Sequence, residues 1–232
     1  MELNALFKTS TPVIGVVHLL PLPTSARWQG SLQAVIDRAV QETVALVSSG
    51  INGIIVENFF DAPFTKGAID PAVVSAMTIV VSRLQQLVTV PIGINVLRND
   101  GHSGLAIAAC TGAEFIRVNV LTGVMATDQG LIEGDAHRLM RYRRELGADV
   151  KVFADVLVKH AAPVGSVAME TAMANAVADT IHRGLADAVI VSGGATGYAP
   201  TAQDLADAKA AAGKTPVLVG SGATVDNIPE LM

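Results

Sequence analysis

Seven short runs of aliphatic and β-branched residues punctuate the chain, and after each comes a loop and a stretch with helical periodicity. They are Val13–His18, Gly53–Asn58, Pro91–Leu97, Phe115–Val120, Val150–Val156, Ala188–Gly193 and Pro216–Gly220. Nearly continuous apolarity over five to seven residues is the pattern of strands buried on both faces. Between them the helical pattern is regular. In the first, Ser31 is placed to cap, apolar residues fall at Leu32, Val35, Ile36, Ala39, Val40, Val44 and Val47, and Gly50 stands where a left-handed terminator belongs. The same reading places helices near Pro71–Leu87, His102–Thr111, Gly134–Leu146, Val167–Arg183, Thr201–Ala212 and Thr224–Leu231. Strand and helix alternating in this way imply parallel strands joined by right-handed crossovers.

Two closures of such a sheet compete. A doubly wound sheet that binds a dinucleotide carries a glycine-rich turn after its first strand, whereas here that strand runs into HLLPLP, with two prolines and no GxGxxG. The expected fold is therefore an α/β (β/α)8 TIM barrel. Such barrels occupy about 200–250 residues as one domain, and the 232 residues contain no linker or shift in composition, so residues 1–232 are expected to form a single domain. Seven strands are found where the closed barrel has eight. The expectation is a barrel that lacks its last βα unit, with the protein continuing beyond Met232 or a partner filling the gap.

Composition excludes several classes. Half of the residues are hydrophobic, which excludes a disordered chain. A bilayer span needs about 20 consecutive apolar residues, and the best run, Ala72–Val81, is interrupted by Ser75 and Thr78. The start, MELNALFKTSTP, lacks the basic and apolar regions of a signal peptide. The single cysteine, Cys110, excludes a disulfide framework and is expected to pack inertly among the alanines of its helix. A net charge of −5 gives no general attraction to nucleic acid, and the chain reads as a soluble protein of a reducing, cytoplasmic compartment.

In a barrel of this type the chemistry stands at the C-terminal ends of the strands. Those positions hold His18, Glu57, Asn58, Asn95, Asn119, Asp155, Ser192 with Gly193, and Gly220, Ser221 and Gly222. Glu57, Asp155 and His18 are the candidate catalytic groups. Asn58, Asn95, Arg117, Asn119, Ser192, Gly193, Gly220, Ser221 and Gly222 are the candidate ligand contacts. Arg117, inside a strand and two residues before Asn119, has two readings: it pairs inward with Glu57 or Asp155, or it faces the helices and extends to solvent. The turns SGGATG (Ser192–Gly197) and GSGAT (Gly220–Thr224) would let the backbone approach a phosphate-bearing ligand, and equally suit tight turns.

The remaining chemistry is sparse. His102, His137 and His182 lie at helix ends and read as structural, while His160 follows the fifth strand. No HExxH or CxxC suggests a metal, no cofactor is expected, and no GxSxG marks a nucleophile elbow. One basic cluster, Arg138, Arg141, Arg143 and Arg144 beside Tyr142, reads as a solvated helix face or as a footing on an anionic surface.

Several strings resemble the BtpA (SgcQ-like) family: VIGVVHLLPLP at 13–23, ENFFDAPF at 57–64, INVLRNDG at 94–101, AEFIRVNVLTG at 113–123, TDQGLIEG at 127–134, LMRYRRELGADVKVFADVLVKHA at 139–161, and VSGGATG and PVLVGSGAT near the end. The resemblance covers nearly the whole chain. It implies a barrel of the ribulose-phosphate-binding type and two roles. Cyanobacterial members of the family are factors for biogenesis or stabilisation of photosystem I, extrinsic to the thylakoid membrane, so photosystem I components or that membrane surface would be the partners. Other members imply an enzyme of sugar or nucleoside metabolism that binds a phosphorylated small molecule at the barrel mouth. A homo-oligomer is compatible with either. The family also continues past GSGAT into a further strand and helix.

Overall fold

A computed structural model describes residues 2–165, 171–195 and 197–231. The first residues of the helix expected from Val167, and Thr196 of the SGGATG turn, lie outside the described residues. The chain forms two compact units.

The first unit comprises Leu3–Arg117 and Arg141–Lys151. In chain order it holds α1 (Leu3–Phe7), β1 (Ile14–His18), α2 (Leu32–Ser48), β2 (Gly53–Glu57), a 3-10 turn (Phe59–Asp61), α3 (Pro71–Gln85), β3 (Ile92–Asn95), α4 (Gly101–Thr111) and β4 (Phe115–Val118). Strands β1 to β4 pair in parallel with their sequence neighbours. Because side chains alternate along a strand, the register sorts them into layers. Val17, Val56, Ile94 and Ile116 lie on the face covered by helices, and all four are fully buried. The opposite face carries Val16, Ile55, Gly93 and Phe115 in one register row. Two residues further along each strand stand His18, Glu57, Asn95 and Arg117.

Glycines at two strand positions make room for aromatic rings. A side chain at Gly93 would occupy the space of the Phe115 ring, and one at Gly53 that of Phe7. The rings of Phe7 and Phe115 meet edge to face with centroids 5.6 Å apart. Thus α1, which the sequence reading missed, fills the space beside β2 with Phe7.

Local signals set the helix starts. Ser31 accepts a hydrogen bond from the Ala34 amide as expected, and Asp70 caps α3 with Pro71 at its first position. The buried stripe of α2 is narrower than the sequence suggests: Val35, Ala39 and Thr43 are covered, whereas Val44 is exposed. Asp100 does more than cap α4. Its carboxylate accepts from the Ser103 amide (3.0 Å), the Ser103 hydroxyl (2.6 Å) and the Ile69 amide (3.0 Å), which ties the loop before α3 to the start of α4. Asp100→Ala is expected to destabilise the protein by about 2 kcal/mol, the loss of a cap together with a stranded Ile69 amide. Thermal unfolding followed by circular dichroism measures it, and a change as small as that of an exposed Ser31→Ala cap variant would contradict the second role.

The other unit holds Val118–Met140 and residues 152–231. Helix α5 (Ala136–Leu146) and strand β7 (Lys151–Val156) begin in one unit and end in the other. The parallel strands here are β7, β9 (Ala188–Val191) and β10 (Val217–Val219), paired in that order. Three strands outside the sequence reading form an antiparallel sheet ordered β6–β5–β8: β5 (Val124–Thr127), β6 (Gly130–Glu133) and β8 (Ala161–Pro163). Met125 and Ile132 sit opposite one another in it and pack with Val120 and Val158. Helices α6 (Ala172–Ala178), followed by a π turn (Asp179–Arg183), and α7 (Ala202–Ala212) cover Val156, Val189 and Val191. A short α8 (Ile228–Leu231) ends the described chain.

All seven expected strands are present, β1 to β4 parallel and in chain order in the first unit and β7, β9 and β10 likewise in the other, as the α/β barrel reading requires. No described helix is long and apolar enough to cross a membrane.

Candidate functional site

The polar row of the first unit is set by register. His18, the last residue of β1, is level with Glu57, Glu57 with Asn95, and Asn95 with Arg117. The alternation that turns Ile55 and Phe115 toward one face turns these residues toward the same face, where the strands end. Glu57, Asn95 and Arg117 are buried. Arg117 therefore does not extend to solvent, which removes the second of its two readings.

Within the row, the Asn95 amide Nδ2 donates to Glu57 Oε2 at 2.5 Å. His18 Nε2 stands 3.7 Å from Glu57 Oε1, and the imidazole side chain is 40% exposed. It stacks on Phe59 (centroids 4.3 Å, planes 21° apart), and Phe60 meets it edge on. The carboxylate thus has a fixed orientation, with one oxygen held by an amide and the other toward a reachable imidazole. The Asn95 side-chain oxygen is buried and has no hydrogen-bond partner among the described residues. An unmet polar atom of this kind costs about 1–3 kcal/mol.

Asn58 has a different task from the one its sequence position suggests. Its Oδ1 accepts from the Leu97 amide at 2.7 Å, and its Nδ2 donates to Asp61 Oδ2 at 3.1 Å and to the Leu97 carbonyl at 3.4 Å. Asp61 Oδ1 in turn accepts from the Leu22 amide at 2.7 Å. The loops that follow β1, β2 and β3 are therefore joined by one buried network, and Asn58 positions rather than presents. Burial pushes the Asp61 carboxyl above its ordinary value of 3.8, against the hydrogen bonds from Leu22, Asn58 and Ser25. Sequence reasoning passed over Asp61 and Asp100; the only signal was an aspartate inside ENFFDAPF and another just before a helix.

In the other unit the same pairing recurs. Asn119 Nδ2 donates to Asp155 Oδ2 at 2.8 Å, both residues are buried, and the Asn119 side-chain oxygen also lacks a partner among the described residues. Ser192 Oγ is likewise buried with no partner among the described residues. The glycines of the two expected phosphate turns have a packing reason to be glycine. A side chain at Gly193 or Gly222 would run into the backbone of Tyr198 and Ala199, and Gly222 has φ +73°. Ser221 Oγ donates to the Tyr198 carbonyl at 2.9 Å, and the Gly220 amide donates to the Val191 carbonyl at 2.8 Å. Those groups close two loops on each other.

Elsewhere, His102 stacks on Tyr142 with centroids 3.7 Å apart, a packing role for both. Cys110 is exposed, not the packed core residue expected, because α4 turns Leu105, Ile107 and Ala108 inward and leaves position 110 on its outer side. On α5, Leu139 is the buried residue, and Arg138, Arg141 and Arg144 are exposed: Arg138 lies 3.5 Å from Asp135 and Arg141 3.4 Å from Glu145. Among the described residues no group of three or more His, Cys, Asp or Glu side chains is placed to hold a metal ion.

Parallel strands in chain order, helices over one face and a polar row at the strand ends define an α/β protein of the TIM-barrel type. A Pseudomonas aeruginosa structure assigned as a dihydrodipicolinate synthetase has this fold at 14% identity and a TM-score of 0.51, over 91% of this chain and 64% of that one. The chain belongs to the BtpA family, whose model matches residues 9–232. It is 66% identical over 232 residues to the Photosystem I biogenesis protein BtpA of Synechocystis, covering all of this chain and 79% of that protein. An uncharacterized protein of Thermococcus kodakarensis is 48% identical over 220 residues, 95% of this chain and 81% of the relative.

Proposed function

We propose that the chain acts in the biogenesis of photosystem I. The observation that carries this reading is the 66% identity to the Synechocystis protein of that name, over an alignment that covers the whole chain. The match runs over the full length of the chain and 79% of that protein. The partners on this reading are photosystem I components at the thylakoid surface. The exposed arginines of α5 suit an acidic partner or an anionic membrane face, with about 1 kcal/mol for each basic residue near such a surface.

The test is a chimera in which these 232 residues replace the aligned ones of the Synechocystis relative. It is expressed in a strain from which that relative has been deleted, and photosystem I is counted by light-induced oxidation of its reaction-centre chlorophyll. Photosystem I is expected to return to the level of the parent strain. A chimera that accumulates normally while photosystem I stays at the level of the deletion strain would overturn the reading.

A further inference from the structure

We propose that the Glu57–Asn95 pair, with His18 beside it, is a binding site for a small neutral ligand that presents a vicinal diol. The argument starts from hydrogen-bond inventory. A carboxylate only accepts, and the one amide that faces Glu57 donates its N–H inward to Oε2, which leaves the Asn95 oxygen as a second acceptor. This pair at the ends of β2 and β3 is thus rich in acceptors, and one of them is a buried atom that nothing in the described protein satisfies. A ligand that fits must bring donors.

Two neighbouring acceptors call for two neighbouring donors. Hydroxyls on adjacent carbons supply them, and each can accept as well as donate. An ammonium group would also supply donors, but the next register position is already a buried cation, Arg117, so the row does not need a second one. The wall beside the pair is aromatic: the half-exposed His18 ring stacks on Phe59, with Phe60 edge on to it. The C–H face of a polyol ring packs on such a wall while its O–H edge turns to the acceptors. The Asn119–Asp155 pair of the other unit has the same form, an asparagine that donates to a carboxylate and keeps an unmet oxygen, so the arrangement is a repeated device of the fold.

Saturation-transfer NMR on the whole chain tests this with methyl β-D-ribofuranoside, glycerol and myo-inositol as diols, methyl 2-deoxy-β-D-ribofuranoside, whose locked five-membered ring has no vicinal pair, as the analogue lacking one hydroxyl, and 1,3-diaminopropane as the cationic donor. At least one diol is expected to bind saturably. Where the ribofuranoside binds, its 2-deoxy analogue should be weaker by about tenfold, the effect of leaving one acceptor unmet. Asn95→Leu and Glu57→Gln should each weaken diol binding by a similar factor with the circular dichroism spectrum unchanged. If Asn95→Leu does not fold, Glu57→Gln and His18→Ala, whose side chain is partly exposed, carry the mutational arm. No binding by any diol, equal binding of the ribofuranoside and its 2-deoxy analogue, folded variants that bind as well as wild type, or displacement of the diol by diaminopropane at equal concentration would each overturn the proposal.

Discussion

Gly93→Ala is expected to lower the melting temperature by roughly 4–8 °C, a large effect for one methyl group. The backbone itself gives no objection, since an alanine there would restrict the unfolded chain and stabilise by about 0.4–1 kcal/mol. Space decides the sign. The added carbon would overlap the Phe115 ring at three of its atoms, and that ring is fully buried and held edge to face by Phe7. Phe115 has no solvent side to swing toward, so the strain falls at the upper end of the 1–3 kcal/mol typical of overpacking. The net loss is about 2 kcal/mol, and a chain of this size loses roughly 2–4 °C for each kcal/mol. Combining Gly93→Ala with Phe115→Leu should recover part of the loss, with a coupling of about 1–2 kcal/mol in a double-mutant cycle. Strictly additive calorimetric melting shifts would mean that the two side chains do not compete for one space.

That contact also marks the limit of what the amino-acid sequence discloses. Seven strands could be read from their apolarity, and the cap at Ser31 and the helix start at Pro71 from residue type, because these signals are local. Gly93 reads only as a glycine within a strand; its reason, the ring of Phe115, depends on register, which no periodicity encodes. The sheet of β5, β6 and β8 was missed for a different cause. Its strands bury little beyond Met125 and Ile132, so their alternation is too faint to stand out beside runs such as Phe115–Val118. Among the candidate site residues, strand-end position is enough to place His18, Glu57 and Asn95 in one register row. It could not separate Asn95, which keeps an open oxygen, from Asn58, one residue past Glu57, whose amide ties loops together. The difference lies in partners that arrive from 39 residues away along the chain.

Asn58→Ala should be still more damaging, at roughly 4 kcal/mol, because it strands the Leu97 amide and one oxygen of Asp61 in a buried place at about 1–3 kcal/mol each. The loops after β1, β2 and β3 would lose their common tie, so diol binding at Glu57 and Asn95 should fall with stability even though Asn58 does not face the ligand. The same network predicts a pH signature. Asp61 has a native pKa above 3.8 because burial disfavours its charge, while in the unfolded chain it titrates near the ordinary value. Between those two values the native protein holds a proton that the unfolded chain has released. Falling pH through that window therefore favours the native state as far as this group is concerned, the gain is complete below 3.8, and it disappears as pH rises past the native value. Asp61→Asn removes the titration and also sets its new amide against the Nδ2 of Asn58, so it should be less stable than wild type at every pH. The stability difference between wild type and Asp61→Asn, measured by urea unfolding, should shrink as pH rises through the window and then level off. A difference that grows with rising pH would mean that the hydrogen bonds from Leu22, Asn58 and Ser25 outweigh burial and hold the carboxylate ionised.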